Sequence, residues 1–252
     1  MYSSPTVTTI IRPTLTLFFC FVLFHCLVAQ KDKRLPSDEW DITSPYYRVM
    51  AENVVKLDTI ISKADLYSVA ATLERVARVE KDKALPQYYL AFVYSTIAFR
   101  EEDLDKIDEW GDRSELALAK VEELGGIIDE EVLVIRALIQ YARLQVDYIG
   151  RGVESSEKAE GYLLKGYKTN PDHPRILAML SQHYLRVPAQ VGGSLKKACY
   201  YADLAIAAYE TEKASRPQSI FPIVPHWGEL DVLEVAEKYC TKKNPPAKTK
   251  QP

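Results

Sequence analysis

Residues 159–184 read AEGYLLKGYKTNPDHPRILAMLSQHY and carry the clearest helical pattern of the chain. Its first half places Ala159, Leu163 and Gly166 at intervals of four and three residues, which is the spacing of one face of an α-helix. Asn170-Pro171 ends that helix, because proline cannot continue the hydrogen-bond ladder. The next proline opens a second helix, since proline is tolerated in a first turn. The stretch therefore predicts two helices joined by a tight turn.

The spacing of this stretch recurs on both sides of it. Small residues at fixed positions let two helices approach closely, and large residues fill the groove between neighbouring pairs. Downstream, the pattern consists of Leu177, Leu180, Ser181 and Tyr184 in one helix and Ala198, Ala202 and Ala205 in the next. Upstream, it consists of Val69, Leu73 and Val76, then Leu90, Ala91 and Tyr94, then Ala117, Val121 and Leu124. The recurrence predicts an array of paired helices over roughly residues 65–210.

Helical periodicity extends well beyond this array, and no alternating strand pattern bounded by turn residues is present. The sequence therefore predicts an all-α fold of about nine helices. Their expected ranges are 45–61, 66–77, 88–99, 104–124, 132–148, 157–167, 176–186, 195–209 and 227–239. The third range is apolar nearly all round, which is typical of a helix buried between neighbours.

The repeat resembles a degenerate tetratricopeptide (TPR) array, which implies a right-handed solenoid of helix pairs. The alternative is a helical bundle without repeats. The chain also looks like a group of exported, TPR-like bacterial proteins, mostly without assigned activity, through short motifs in a fixed order. These motifs are Leu85-Pro86-Gln87-Tyr88-Tyr89, Gly150-Arg151-Gly152, Asn170-Pro171 with Pro174-Arg175, Pro188 with Gly192-Gly193, and Pro225-His226-Trp227-Gly228.

A weaker similarity links the stretch around Gly192-Gly193 to the periplasmic TPR component of TRAP-type transporters. That component is thought to assist solute capture beside a binding protein. Here Ser194 follows the two glycines where an acidic residue is expected. The departure weakens any ligand role that this similarity implies for the loop.

Composition excludes some classes of function. The 252 residues are 47% hydrophobic, enough for a sizeable core, and carry 32 basic and 35 acidic side chains. This near-balance gives no overall positive field, so no nucleic-acid partner is expected. Only 10 glycines are present, which argues against a Gly-rich nucleotide-binding fold.

The N-terminus has the pattern of an export signal. Arg12 is the only base in residues 1–29, and the apolar run that follows is shorter than the roughly 20 residues of a membrane span. A small residue before Gln30 predicts cleavage there. An uncleaved anchor and a lipoprotein are the alternatives. We expect a signal peptide at 1–29, a helical domain at 30–241 and a disordered Lys/Pro-rich tail at 242–252, with the mature chain not spanning a membrane and located in a Gram-negative periplasm.

Cleavage at that point leaves two cysteines, Cys199 and Cys240. Two thiols in an oxidising compartment favour one disulfide, which would hold the last helix against the end of the array. Two buried free thiols are the alternative.

The repeats are interrupted in a regular way. A regular TPR first-helix tyrosine precedes the second-helix alanine by nine positions. The intervals here are 23 residues from Tyr94 to Ala117, 18 from Tyr141 to Ala159 and 14 from Tyr184 to Ala198. All three insertions fall inside a repeat, so stacking would place them along one edge, a common binding face. The candidate binding residues there are Arg100, Trp110, Tyr148, Arg151, Gln190, Gly192 and Gly193. Tolerated variation in loop length is the alternative.

Catalytic chemistry is not predicted. The sequence holds no Gly-x-Ser-x-Gly motif and no cysteine with a nucleophile signature, and its histidines lack metal-ligand spacing, so we expect no enzyme activity, cofactor or metal. The arginine of residues 147–152 is expected to bond Asp147 or nearby helix-end carbonyls. Paired carboxylates such as Glu101-Glu102 and Glu130-Glu131 are interpreted as solvated charges at helix ends.

These observations favour a non-catalytic periplasmic scaffold that binds a protein or peptide partner in the cell envelope. The alternative is an accessory that captures a small solute for a transport system. An open groove lined by tyrosines would favour the scaffold, and a closed apolar pocket with convergent polar groups would favour the solute.

Overall fold

A computed structural model of the chain describes residues 41–59, 62–215 and 222–240, all within one compact unit, Arg34–Pro252. The predicted signal peptide at 1–29, its cleavage before Gln30 and the predicted tail at 242–252 lie outside the described residues. Within the described ranges, no helix is long and apolar enough to cross a bilayer.

Every regular element in these ranges is a helix, which confirms the all-α prediction. The nine α-helices are α1 Pro45–Leu57, α2 Lys63–Val79, α3 Ala84–Arg100, α4 Leu104–Leu124, α5 Asp129–Arg143, α6 Gly152–Thr169, α7 Pro174–Arg186, α8 Leu195–Ser215 and α9 Glu229–Val235. Short 3-10 helices span Leu144–Val146 and Ala189–Val191, and a π-helical turn, Ala236–Cys240, follows α9.

Local signals set most helix ends. Ser44 accepts a hydrogen bond from the backbone of Tyr47 at the start of α1, and Gly125 ends α4 with a φ of 72° that glycine adopts without strain. The fifth and sixth helices were predicted at 132–148 and 157–167. The predicted end of the fifth helix and the predicted start of the sixth are both wrong. Helix α5 ends at Arg143 and α6 already begins at Gly152, which leaves an eight-residue connection between them.

The helices pack as a series of hairpins. Helices α3 and α4, α5 and α6, and α7 and α8 form the most extensive pairs. The first helix of each pair also contacts the first helix of the next, so that α3 packs on α5, α5 on α7, and α7 on α9. Twelve of the 17 residues of α3 are buried, as predicted for a helix between neighbours. The finer prediction, a right-handed TPR-like solenoid, stays a prediction.

This packing sorts the connections into two edges. The connections within hairpins, 101–103, 144–151 and 187–194, lie at one edge because the hairpins stack in the same orientation. Gln145 in the second connection donates a hydrogen bond of 3.1 Å to the carbonyl of Phe99 at the end of α3. We call residues 99–104, 144–153 and 187–195 the insertion edge. The connections between hairpins, 80–83, 125–128 and 170–173, lie at the opposite edge.

A disulfide joins α8 to the C-terminal helical segment. Cys199 lies in the first turns of α8 and Cys240 ends the π-helical turn, and their Cα atoms are 5.5 Å apart. Of the two outcomes that the sequence left open, the structure has the bridge. It holds the last helix against the third hairpin, beside the apolar contacts of Val232 and Val235.

Candidate binding site

The insertion edge exposes apolar side chains that a folded protein normally covers. Ile149 is 97% exposed and Tyr148 is 66% exposed. Large exposed apolar groups that lie together commonly mark a binding surface. The large apolar side chains exposed along this edge, within the described residues, are Phe99, Leu104, Tyr148, Ile149, Val153, Val191 and Leu195.

Backbone hydrogen bonds hold the tip of the second connection in place. The carboxylate of Asp147 accepts bonds from the backbone N–H groups of Ile149, at 3.1 Å, and Gly150, at 2.8 Å. The carbonyl of Asp147 accepts a third bond from the N–H of Arg151. A Cβ atom on Gly150 would come within 2.2 Å of that carboxylate, so a side chain would displace it. Asp147 therefore fixes a tight turn that presents Tyr148 and Ile149 to solvent.

Glycine geometry shapes the third connection. Gly192 has a φ of 107°, and the N–H of Gly193 donates a bond of 3.1 Å to the carbonyl of Pro188. A Cβ atom on Gly193 would lie 1.7 Å from the carbonyl oxygen of Val187. Ser194 then accepts a bond from the backbone of Lys197 at the start of α8. Both glycines thus serve the turn itself, while Gln190 lies exposed in its short 3-10 helix.

Arg151 binds across the hairpin boundary. Its Nη1 atom lies 2.7 Å from Oδ2 of Asp108 in α4. The expected partners, Asp147 or helix-end carbonyls, were wrong, because stacking of the first two hairpins brings Asp108 within reach. Beside this ion pair, Arg143 at the end of α5 bonds Asp112 of α4.

Trp110 does not join this group. It is half-buried in α4, with its ring centroid 5.5 Å from that of Tyr67 and 5.6 Å from that of Tyr94, and the guanidinium of Arg113 lies over the ring. Asp108, which holds Arg151, is two positions away and therefore on the opposite side of α4. The structure thus brings Arg151 and Tyr148 to the same connection and places Trp110 elsewhere. Arg100 is exposed at the end of α3.

A buried polar network, which the sequence did not reveal, lies at the opposite edge. Oε1 of Glu131 accepts bonds from Nε of Arg175, at 2.6 Å, and from Nε2 of His173, at 3.1 Å. Oε2 accepts a bond of 2.6 Å from the hydroxyl of Tyr88, which in turn accepts one from the indole N–H of Trp227. The expectation that the pair Glu130-Glu131 is solvated is wrong, since Glu131 is only 3% exposed.

The charge of this network is compensated from several helices. Burial disfavours the carboxylate, but the charge of Arg175 and the bond from His173 hold the pKa of Glu131 well below its ordinary value. Arg175 also makes a two-pronged bond to Glu212 of α8. The network therefore ties three hairpins and the segment before α9 together, and its role is structural.

The histidines of the described ranges are already engaged. His173 bonds Glu131, His183 bonds the hydroxyl of Tyr141 at 2.9 Å, and His226 bonds Asp58 at 3.0 Å. Within these ranges, no group of three or more His, Cys, Asp and Glu side chains is placed to hold a metal ion.

No family model matches the sequence, and no curated protein matches it. Among solved structures, the HusA haemophore from Porphyromonas gingivalis is similar to this chain. The two are 28% identical, the match covers 82% of this chain and 99% of the other, and the TM-score is 0.69. No match supports a relationship to TRAP-type transporters.

Proposed function

We propose that this chain is a non-catalytic binding protein that captures a porphyrin such as haem outside the cytosol. The likeness to a solved haemophore carries this proposal, because it extends over 99% of that chain at 28% identity. The export signal predicted at residues 1–29 agrees with a place of action outside the cytosol. This function is narrower than the scaffold that the sequence favours, and it is nearer to the solute-capture alternative.

The insertion edge supplies a surface of suitable chemistry. A porphyrin is a flat, largely apolar macrocycle with carboxylate groups at one side. Tyr148 and Ile149 stand exposed on a turn that is fixed before any ligand arrives, so little conformational freedom is lost on binding. Covering both side chains with the ring removes apolar surface from water, which favours the complex. We therefore place the ligand at this edge.

Recognition rests on the ring rather than on iron. His173 and His183 are each less than 5% exposed, and a bond to iron would break the contacts that they already make. His226 is likewise bonded to Asp58. Apolar and aromatic contact with the macrocycle remains, and this does not require a metal.

The peptide-scaffold alternative has one supporting observation, which is the hairpin-on-hairpin packing of α3 to α8. The burial of two tyrosines of α3 argues against this alternative. Tyr88 and Tyr89 are at most 1% exposed, and the segment before α9 bonds both, through Trp227 and the carbonyl of Ile223. An extended peptide has no access to these rings.

A titration tests the proposal directly. Haem and metal-free protoporphyrin IX are added separately to the secreted protein, and binding is followed by porphyrin absorbance and by quenching of tryptophan fluorescence. Both compounds should bind saturably, with dissociation constants within about tenfold of one another. Absence of binding by both would overturn the proposed function. Binding of haem alone would contradict recognition through the ring.

A further inference from the structure

Charged side chains are distributed unevenly along the insertion edge. In the first connection and its flanks, residues 99–109, the basic side chains are Arg100 and Lys106, and the acidic ones are Glu101, Glu102, Asp103, Asp105, Asp108 and Glu109. In the third connection and its flanks, residues 186–197, the basic side chains are Arg186, Lys196 and Lys197, and no residue is acidic. The edge is therefore predominantly acidic at the first connection and basic at the third.

The arginines that end α5 and α7 differ in their partners. Arg143 and Arg186 are the last residues of these two helices and lie 43 positions apart in the chain. Arg143 bonds Asp112, so its charge is compensated within the protein. Arg186 instead bonds the neutral amide of Gln182, and in the part of the chain that the structure describes it forms no ion pair. Asp231 of α9 is near enough to be favoured by the charge of Arg186, but it does not pair with it.

Two lysines add to the positive charge of the third connection. Lys196 and Lys197 lie in the first turn of α8, and both are exposed. The ammonium group of Lys197 lies 4.4 Å from the ring centroid of Tyr184. Among the described residues, neither lysine forms an ion pair with a carboxylate. Both ammonium groups can therefore donate hydrogen bonds to an anion without giving up such a pair.

Exposed apolar side chains adjoin these cations. Val191 is 55% exposed and Leu195 is 53% exposed. Tyr148 and Ile149 belong to the connection of the neighbouring hairpin, and packed helices lie about 8–10 Å apart. A porphyrin ring is wide enough to cover apolar groups of two neighbouring connections. Apolar surface and unpaired cations thus occur together at this end of the insertion edge.

We propose that the porphyrin lies across the second and third connections with its carboxylates toward Arg186, Lys196 and Lys197. This inference rests on the proposed function, because it concerns how the same ligand is oriented on the same surface. Carboxylates form charge-assisted hydrogen bonds with arginine and lysine. The opposite orientation would bring the carboxylates toward the acidic first connection, where like charges repel. The three cations therefore favour porphyrins with free carboxylates.

A comparison of two porphyrins tests the orientation. Protoporphyrin IX and its dimethyl ester have the same ring, but the ester carries no negative charge. Both are added to the wild-type protein in the same dilute detergent, and binding is followed by porphyrin fluorescence. The free acid should bind about tenfold more tightly than the ester, and added salt should reduce this difference because it screens the charges.

The outcomes of this comparison separate the two proposals. Equal affinity for the free acid and the ester would overturn the role of the cations and leave the proposed function in place. Absence of binding by both porphyrins would overturn the proposed function and this inference with it.

A double variant assigns the preference to the lysines. Lys196→Gln with Lys197→Gln should bind the free acid about tenfold more weakly and the ester as the wild type does. The fold should be retained, because no ion pair is lost. The matched control, Lys165→Gln with Lys168→Gln, removes the same charge from exposed positions in the last turns of α6, toward the opposite edge. It should bind both porphyrins as the wild type does.

Three results with these variants would overturn the assignment. The first is wild-type affinity of the Lys196 and Lys197 variant for the free acid. The second is equal weakening in the control, which would show that only the overall charge matters. The third is equal weakening for the free acid and the ester, which would show that the lysines do not act through the carboxylates.

Discussion

Glu131 carries a negative charge in a part of the molecule that water does not reach. A buried carboxylate is tolerated only when cations and donors surround it, and Glu131 has Arg175, His173 and Tyr88. These partners come from α3, α7 and the turn before α7. All of these bonds to the carboxylate therefore form only when the hairpins are stacked as they are in this structure. Glu131 thereby fixes the relative placement of the hairpins.

Removing this carboxylate should destabilise the protein strongly. Glu131→Ala leaves Arg175 buried beside an empty space, and breaking such a pair costs about 3–5 kcal/mol. Urea unfolding followed by circular dichroism measures the loss. Glu123→Ala is the control, since Glu123 lies in an exposed pair with Lys120, where the expected change is below about 1 kcal/mol. Equal losses in the two variants would contradict the structural role of the network.

Acid should weaken the protein through carboxylates of this kind. The bond from Lys63, with backbone bonds from Asp103 and Glu102, lowers the pKa of Glu101 from 4.5 to about 2 despite partial burial. A carboxyl with a lowered pKa in the folded state stabilises that state above its unfolded pKa and loses this contribution as pH falls through the folded value. The free energy of unfolding should therefore fall between about pH 5 and pH 2.

The variant Glu101→Gln isolates one part of that dependence. It should flatten the slope of unfolding free energy against pH in this window, whereas Glu109→Gln, in an exposed pair with Arg113, should leave the slope unchanged. A slope that is the same in wild type and Glu101→Gln would show that Glu101 does not contribute.

At the scale of elements, the local sequence predicted most helices. The predicted helix ends were wrong where contacts between distant parts of the chain determine them. Prolines and Gly125 marked ends that the structure retains. The end of α5 was placed too late because Leu144 and Val146 continue the apolar pattern. In the structure Val146 packs against a cluster that includes Ala98 of α3 and Ile107 of α4, and Gln145 bonds the carbonyl of Phe99. These contacts bend the chain away from the helix, and no local pattern encodes them.

The disulfide belongs to the same scale, because it fastens one element to another. Its closure spans 41 residues, and the chain-entropy model gives a stabilisation of about 4 kcal/mol for a loop of that length. Cys240→Ser should lower the unfolding free energy accordingly, and reductant should then have no further effect. Mass spectrometry of the natively expressed protein with and without reductant checks the bond itself. Equal numbers of free thiols in both samples would exclude it.

At the scale of the whole molecule, the register of the repeats was the most informative part of the sequence. The intervals after Tyr94, Tyr141 and Tyr184 predicted three connections inside hairpins, and the structure collects these connections at one edge. The first is only 101–103, because α3 and α4 themselves take up most of the added length, so the prediction of an insertion in that turn is wrong. Tyr148 was predicted at this edge and stands exposed. Trp110 is also a large aromatic residue that was predicted at this edge. It differs from Tyr148 in exposure, because its ring packs against α2 and α3. Which aromatic is covered depends on neighbouring helices, so sequence spacing could not distinguish them.

The buried network could not be predicted from the sequence for a related reason. Glu131, Arg175 and Trp227 are far apart in the chain and meet only after the hairpins stack. The network follows from the arrangement of the hairpins as a whole.

The haem affinity of a double variant shows whether the insertion edge holds a porphyrin. Tyr148→Ser with Ile149→Ser removes the two most exposed apolar groups of the second connection and keeps the turn held by Asp147. Val79→Ser is the matched control, because Val79 is 77% exposed next to the opposite edge. The double variant should bind haem at least about tenfold more weakly, and the control should bind it as the wild type does. Wild-type affinity in the double variant would show that haem does not bind at the insertion edge.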